Sequence, residues 1–145
     1  MYPNKYWGMY LENSTINREV KKVHKLPNGT IYVFDDFLVS EFKEDAIIDF
    51  DCFVQLYHYL NSYSENKKSF GYISNRVHKY TVKVTDFMRT KSLTQKIYPT
   101  AVVTYDDEGK NTFMFEKKVY NCQAFLCDSL DKAINHLTGR LVSIS

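Results

Sequence analysis

Thr100-Ala101-Val102-Val103-Thr104-Tyr105 is the stretch on which the fold turns. It is β-branched, uncharged and preceded by Pro99, and it reads as a strand buried on both faces. Downstream, Asp106-Asp107-Glu108-Gly109 is a turn signal, and residues 111–120 could be helix or strand by pattern, with helix preferred because a crossover is needed before the short strand at 124–127. Asp128 or Ser129 then caps a last helix, with Leu130, Ala133, Ile134, Leu137 and Leu141 on one stripe. Upstream, residues 69–74 form a short apolar strand. Thr85 or Asp86 caps a helix running to about residue 97, with Phe87, Thr90, Thr94 and Ile97 as its apolar side. Before that strand, Asp51 caps a helix whose stripe is Phe53, Leu56, Tyr57, Leu60 and Tyr63. Strands alternating with helices run parallel through right-handed crossovers.

The N-terminal part has a different rhythm. Residues 20–26 have strand character, and Asn28-Gly29 is a hairpin signal because both residues tolerate positive φ. Residues 30–34 return as a second strand, and Asp35-Asp36 turns the chain again. Residues 37–42 alternate, with Phe37, Val39 and Glu41 on one face and Leu38, Ser40 and Phe42 on the other. The expected fold class is therefore α/β: a mixed sheet whose antiparallel N-terminal meander continues into a small parallel βαβαβα unit. Residues 1–18 read as an N-terminal arm that docks on the domain or on a neighbour, and residues 19–145 as one domain, which suits a chain of 145 residues.

Composition narrows the classes further. Hydrophobic residues make up 44% and charged residues 25%, so the chain can bury a core and is not expected to be disordered. No apolar run reaches the roughly 20 residues that span a bilayer. Met1 to Gly8 shows no apolar leader, so the expected location is the cytoplasm, with no membrane association. In that compartment Cys52, Cys122 and Cys127 are expected as free thiols. The net charge of +2 hides an asymmetry. Residues 31–60 hold seven acids and one base, while residues 61–98 hold eight bases and two acids. The ordinary reading is two solvated faces, or one folded surface where the segments partly neutralise each other, and the sharper reading is a basic patch for an acidic partner.

Several chemistries lack their residues. The five glycines are scattered, with no G-x-G-x-x-G and no Walker loop, so no nucleotide cofactor is expected. There is no G-x-S-x-G elbow. His24, His58, His78 and His136 are dispersed, and the cysteines lack zinc-finger spacing, so no metal site is expected. The carboxylate pairs Asp35-Asp36 and Asp106-Asp107 fall in turns, where Asp serves backbone hydrogen bonding. No nucleophile–base set can be assembled, and an enzyme is not expected.

One segment concentrates polar and aromatic groups. It runs Phe70-Gly71-Tyr72-Ile73-Ser74-Asn75-Arg76-Val77-His78-Lys79-Tyr80. It leaves the carboxyl end of a parallel strand, where open α/β sheets place their binding crevice. Tyr72, Ser74, Asn75, Arg76, His78 and Tyr80 are the candidate binding residues. Arg76 could fork onto a carboxylate or phosphate, or brace the loop through backbone carbonyls. The basic segment 67–96, with Phe70, Tyr72 and Tyr80 interleaved, carries no RNA-module signature, so nucleic acid is not an expected partner.

Four stretches carry a resemblance: Val33 to Glu41, Phe70 to Arg76, Ala101 to Tyr105, and Phe125 to Leu137 with its Asp128-Ser129-Leu130-Asp131-Lys132-Ala133-Ile134. Together they resemble small bacterial proteins grouped with the STAS and SpoIIAA-like superfamily, the fold of anti-sigma-factor antagonists. The resemblance covers roughly residues 19–141 and leaves the arm outside. It implies a non-enzymatic regulatory domain with a protein partner. In the well-studied branch of that superfamily, a serine at a helix start in a D-S-S/T-G-L motif is phosphorylated. Ser74 is near the matching place, but the Asp before it and the Gly after it are missing here. The alternative expectation, from a different class, is a carrier or sensor of a small acidic or lipid-like ligand. Self-association stays open.

Overall fold

The structure is a computed structural model, and it describes residues 10–11, 18–91, 98–120 and 124–143. Its central sheet has six strands in the order β1-β2-β3-β5-β7-β8. Strands β1 (Lys22–Leu26), β2 (Gly29–Val33) and β3 (Phe37–Phe42) form the antiparallel meander. Strands β5 (Gly71–Asn75), β7 (Thr100–Val103) and β8 (Ala124–Cys127) continue from β3 in parallel. The expected mixed α/β sheet is present, with the change of direction at the β3–β5 pair.

Each parallel connection carries a helix: α1 (Phe50–Ser64), α2 (Val84–Lys91) and α3 (Asp107–Tyr120). All three step the chain the same way across the sheet, so right-handed crossovers put them on one face. The side chains agree. Leu56 and Leu60 of α1 pack with Ile31, Val33 and Leu38, and Phe113 of α3 packs with Val102 and Ala124. The last helix, α4 (Leu130–Ser143), covers the other face, where Ala133, Ile134 and Leu137 meet Phe37, Val39, Ile73, Ala101 and Val103. Leu11 of the N-terminal arm is buried in that same cluster. The stripe expected for α4 is therefore seated as far as Leu137; the side chain of Leu141 lies outside the described ones.

Local details differ from the sequence reading in instructive ways. Asp49, not Asp51, caps α1: its Oδ1 accepts from the Cys52 amide at 3.2 Å. Asp51 sits in the first turn, where its charge still favours the helix dipole. Asp86 does not cap its own helix. Its carboxylate reaches across to accept from the Phe50 amide at 3.0 Å, so α2 helps to start α1. The turn at residues 106–109 is the beginning of α3, with Asp106 Oδ1 accepting from the Gly109 amide at 2.7 Å. Thr94 and Ile97, expected on α2, lie outside the described residues.

The first hairpin also turns differently. Leu26 pairs with Gly29, so Pro27-Asn28 is the two-residue loop, and no described glycine has positive φ. Gly29 answers a steric demand instead: a Cβ there would lie 2.5 Å from the Glu41 carbonyl oxygen and 2.8 Å from Phe42 Cα. A further pair of strands escaped the sequence reading. β4 (Ile47–Ile48) and β6 (Thr81–Val82) form a parallel two-stranded sheet, entered through Asp45 at φ 61°.

Candidate functional site

The carboxyl ends of β3 and β5, together with the residues that follow β7, gather the buried polar side chains of the sheet. Strand alternation divides them between the two faces.

On the α4 face stands Glu41, which is 6% exposed. It continues the Phe37–Val39 side of β3, so its carboxylate lies at the rim of an apolar surface. Two donors compensate that burial, as a buried charge requires. The Leu11 amide donates to Glu41 Oε2 at 2.7 Å, and Asn75 Nδ2 donates to the same oxygen at 2.6 Å. Asn75 in turn accepts at Oδ1 from the Tyr105 hydroxyl at 2.6 Å. Tyr105, Asn75 and Glu41 thus form a directional chain in which each bond polarises the next. Beside it, the Tyr10 hydroxyl is hydrogen-bonded to His78 Nε2, with the two rings edge to face. The arm is therefore held to the strand ends at two adjacent residues.

On the helical face, Ser40 and Tyr72 share a hydrogen bond at 2.5 Å, and Ser74 and Tyr80 share one at 3.2 Å. Burial pushes the Tyr72 phenol well above its ordinary range, and the neighbouring Tyr80 adds to this. Arg76 Nη2 donates to Glu116 Oε1 at 2.7 Å, with the two side chains 15% and 10% exposed. The guanidinium also lies 5.4 Å from the centre of the Tyr80 ring and 5.5 Å from that of Phe113. Burial opposes its charge, but Tyr80 and Glu116 outweigh burial and raise its pKa above the ordinary guanidinium value. Its Nε is buried and meets no partner among the described residues.

The structure places the six sequence candidates at the end of β5 but divides them. Tyr72, Ser74, Arg76 and Tyr80 meet on the helical face, while Asn75 and His78 belong to the arm side. Ser74 lies within the strand as expected, Asn75 lies within it too rather than in the loop after it, and both are buried. Ser74 Oγ is paired to a phenol, not to an imidazole or carboxylate. The sequence reading missed Glu41, Tyr105, Glu116 and the two arm residues. Glu41 had a signal, since an acid at the inward position of an alternating strand needs partners. Glu116 had one too, three residues after Phe113 on the inner side of its helix.

Lys79 continues outward from these buried groups and pairs with Glu108 in the first turn of α3 at 2.5 Å; both side chains are more than half exposed. No group of three or more His, Cys, Asp or Glu side chains among the described residues could hold a metal ion. Among the described residues, no helix is long and apolar enough to cross a membrane. No family model, curated protein or solved structure matches the chain.

Proposed function

We propose that this chain is a non-enzymatic, STAS-like binding domain that recognises a protein partner in a regulatory role. The observation that carries this reading is the mutual engagement of the polar groups at the strand ends. Glu41, Asn75 and Tyr105 bind one another and the arm, Ser40 binds Tyr72, Ser74 binds Tyr80, and Arg76 binds Glu116. A small substrate would have to break buried hydrogen bonds, each leaving a group that costs about 1–3 kcal/mol to leave unsatisfied. A protein partner needs only the surface above them, where Lys79 and Glu108 are exposed beside partly exposed His78.

The test compares capture of host proteins by the full chain with capture by a Lys79→Ala, Glu108→Ala double variant, alongside native mass spectrometry of the purified chain. The proposal expects a defined protein captured by the wild type, lost with the double variant, and no small molecule bound. Capture unaffected by the double variant would overturn the proposed surface. The alternative reading, a carrier of a small acidic ligand, draws on the buried Arg76 Nε, which meets no partner among the described residues. A stoichiometric acidic small molecule, retained by the wild type and lost in Arg76→Ala, would favour it over the protein-binding reading.

A further inference from the structure

The two edges of the six-stranded sheet are built differently. β1 carries Lys22 and Lys25, the kind of charge that protects an exposed edge against pairing with another chain. β8, at the other edge, reads Ala124-Phe125-Leu126-Cys127, with no charge, and Phe125 is 43% exposed.

The direction of the open backbone groups follows from alternation. The Thr104 amide donates to the Cys127 carbonyl at 3.1 Å, so Cys127 and Phe125 direct their backbone groups towards β7. Ala124 and Leu126 therefore direct theirs away from the sheet. Lys117 Nζ comes from that outer side and donates to the Ala124 carbonyl at 3.1 Å. The outward N–H and C=O of Leu126 meet no partner among the described residues.

We infer that β8 is a homodimerisation edge, pairing antiparallel with β8 of a second copy across a two-fold axis at Leu126. A two-fold contact is self-complementary by construction, so each residue must suit the one that symmetry brings opposite it. The outward-facing residues make the narrow hydrogen-bonded pairs of an antiparallel ladder. Leu126 then exchanges both bonds with Leu126 of the second copy, and Ala124 stands opposite Asp128 of the second copy. That register meets a charge demand. Lys117, already on the Ala124 carbonyl, is brought beside the Asp128 carboxylate of the second copy, which is 73% exposed and pairs with its own Lys132. On the α4 face, Phe125 stands opposite Cys127 of the second copy. Its exposed ring, 3.7 Å from the His136 ring between centroids, extends the contact from the strand onto α4.

Sedimentation velocity on the full chain tests this, with circular dichroism to confirm folding. The wild type should show a reversible dimer of the 17.1 kDa chain at concentrations up to about 100 µM. Phe125→Lys, which places a protecting charge on the edge, should give a folded monomer. Lys117→Glu and Asp128→Lys should each weaken the dimer roughly tenfold, because two symmetry-related pairs turn from attraction to repulsion. The double reversal should restore it to within about threefold of the wild type, since both pairs become attractive again. A chain that stays monomeric overturns the inference. So does a dimer indifferent to the charge reversals, or one weakened by each single reversal and not restored by both. The two charge positions keep the inference falsifiable if Phe125→Lys fails to fold.

Discussion

Replacing Arg76 with Ala should destabilise the fold rather than merely weaken binding. The guanidinium is 2.7 Å from Glu116, and both side chains are largely removed from water. Without it, the Glu116 carboxylate stays buried between α3 and the sheet with no cation beside it. Removing one partner of a buried ion pair typically costs about 3–5 kcal/mol, because the surviving charge is left uncompensated. The contacts to the Tyr80 and Phe113 rings lie within the range of cation–π attraction and disappear with the same group. They belong within that figure rather than on top of it, since interactions sharing one group do not add. For a chain of this size, 1 kcal/mol shifts the melting temperature by roughly 2–4 °C, so Arg76→Ala should melt roughly 6–20 °C lower. Thermal and urea denaturation, followed by circular dichroism, measure it. Arg76→Met with Glu116→Leu is the decisive companion. It removes both charges and keeps the volume, so it should recover much of the loss, as apolar replacement of buried pairs often does. If Arg76→Ala falls within roughly 0.5 kcal/mol of the wild type, the range of a neutral surface change, the brace is refuted. If the losses of Arg76→Met and Glu116→Leu, each measured singly, simply add in the double variant, Arg76 and Glu116 are not energetically coupled and the ion pair is refuted.

The remaining predictions concern the core and the thiols. Leu137 is fully buried in the α4 cluster, with its Cδ1 at 3.1 Å from where a Cβ on Gly71 would stand. Leu137→Ala should cost about 2–5 kcal/mol by urea denaturation, and a change within roughly 0.5 kcal/mol would mean that α4 is not packed on β5. Cys52 is buried, and its pKa is raised to about 11, chiefly by burial, with Asn28 Nδ2 donating to its sulfur at 3.2 Å working against that rise. The reactive thiolate is therefore scarce at neutral pH, so Cys52 should react slowly with a maleimide in the native protein and rapidly once unfolded. Equal rates in the two states, followed by peptide mapping, would contradict its burial.

The fold was legible where a long-range rule acted on a strong local pattern. Val102 and Val103 mark a strand, Leu130, Ala133, Ile134 and Leu137 mark a helix, and the handedness of crossovers does the rest. Features set by competition among neighbours were less legible. Asp49, Asp51 and Asp86 could all cap a helix by residue type, and tertiary placement sends Asp86 to the start of α1 instead of α2. The β4–β6 pair is two residues long on each strand and has no periodicity to read. Gly29 was read for its backbone freedom, whereas its neighbours across β2–β3 demand only its missing Cβ. The site shows the same division. Sequence position placed Tyr72 to Tyr80 at the carboxyl end of a parallel strand, and the structure finds them there. The groups that neutralise and orient them come from elsewhere: Glu41 from β3, Tyr105 from the residues after β7 and Glu116 from α3, lying 34, 30 and 40 residues from the partners they hold. Local sequence therefore identified the groups that need partners, and the topology of β3, β5, β7 and α3 decided what those partners are. That is why Arg76, which in the sequence could serve either a ligand or the loop's own bracing, is in the fold held by the Glu116 carboxylate.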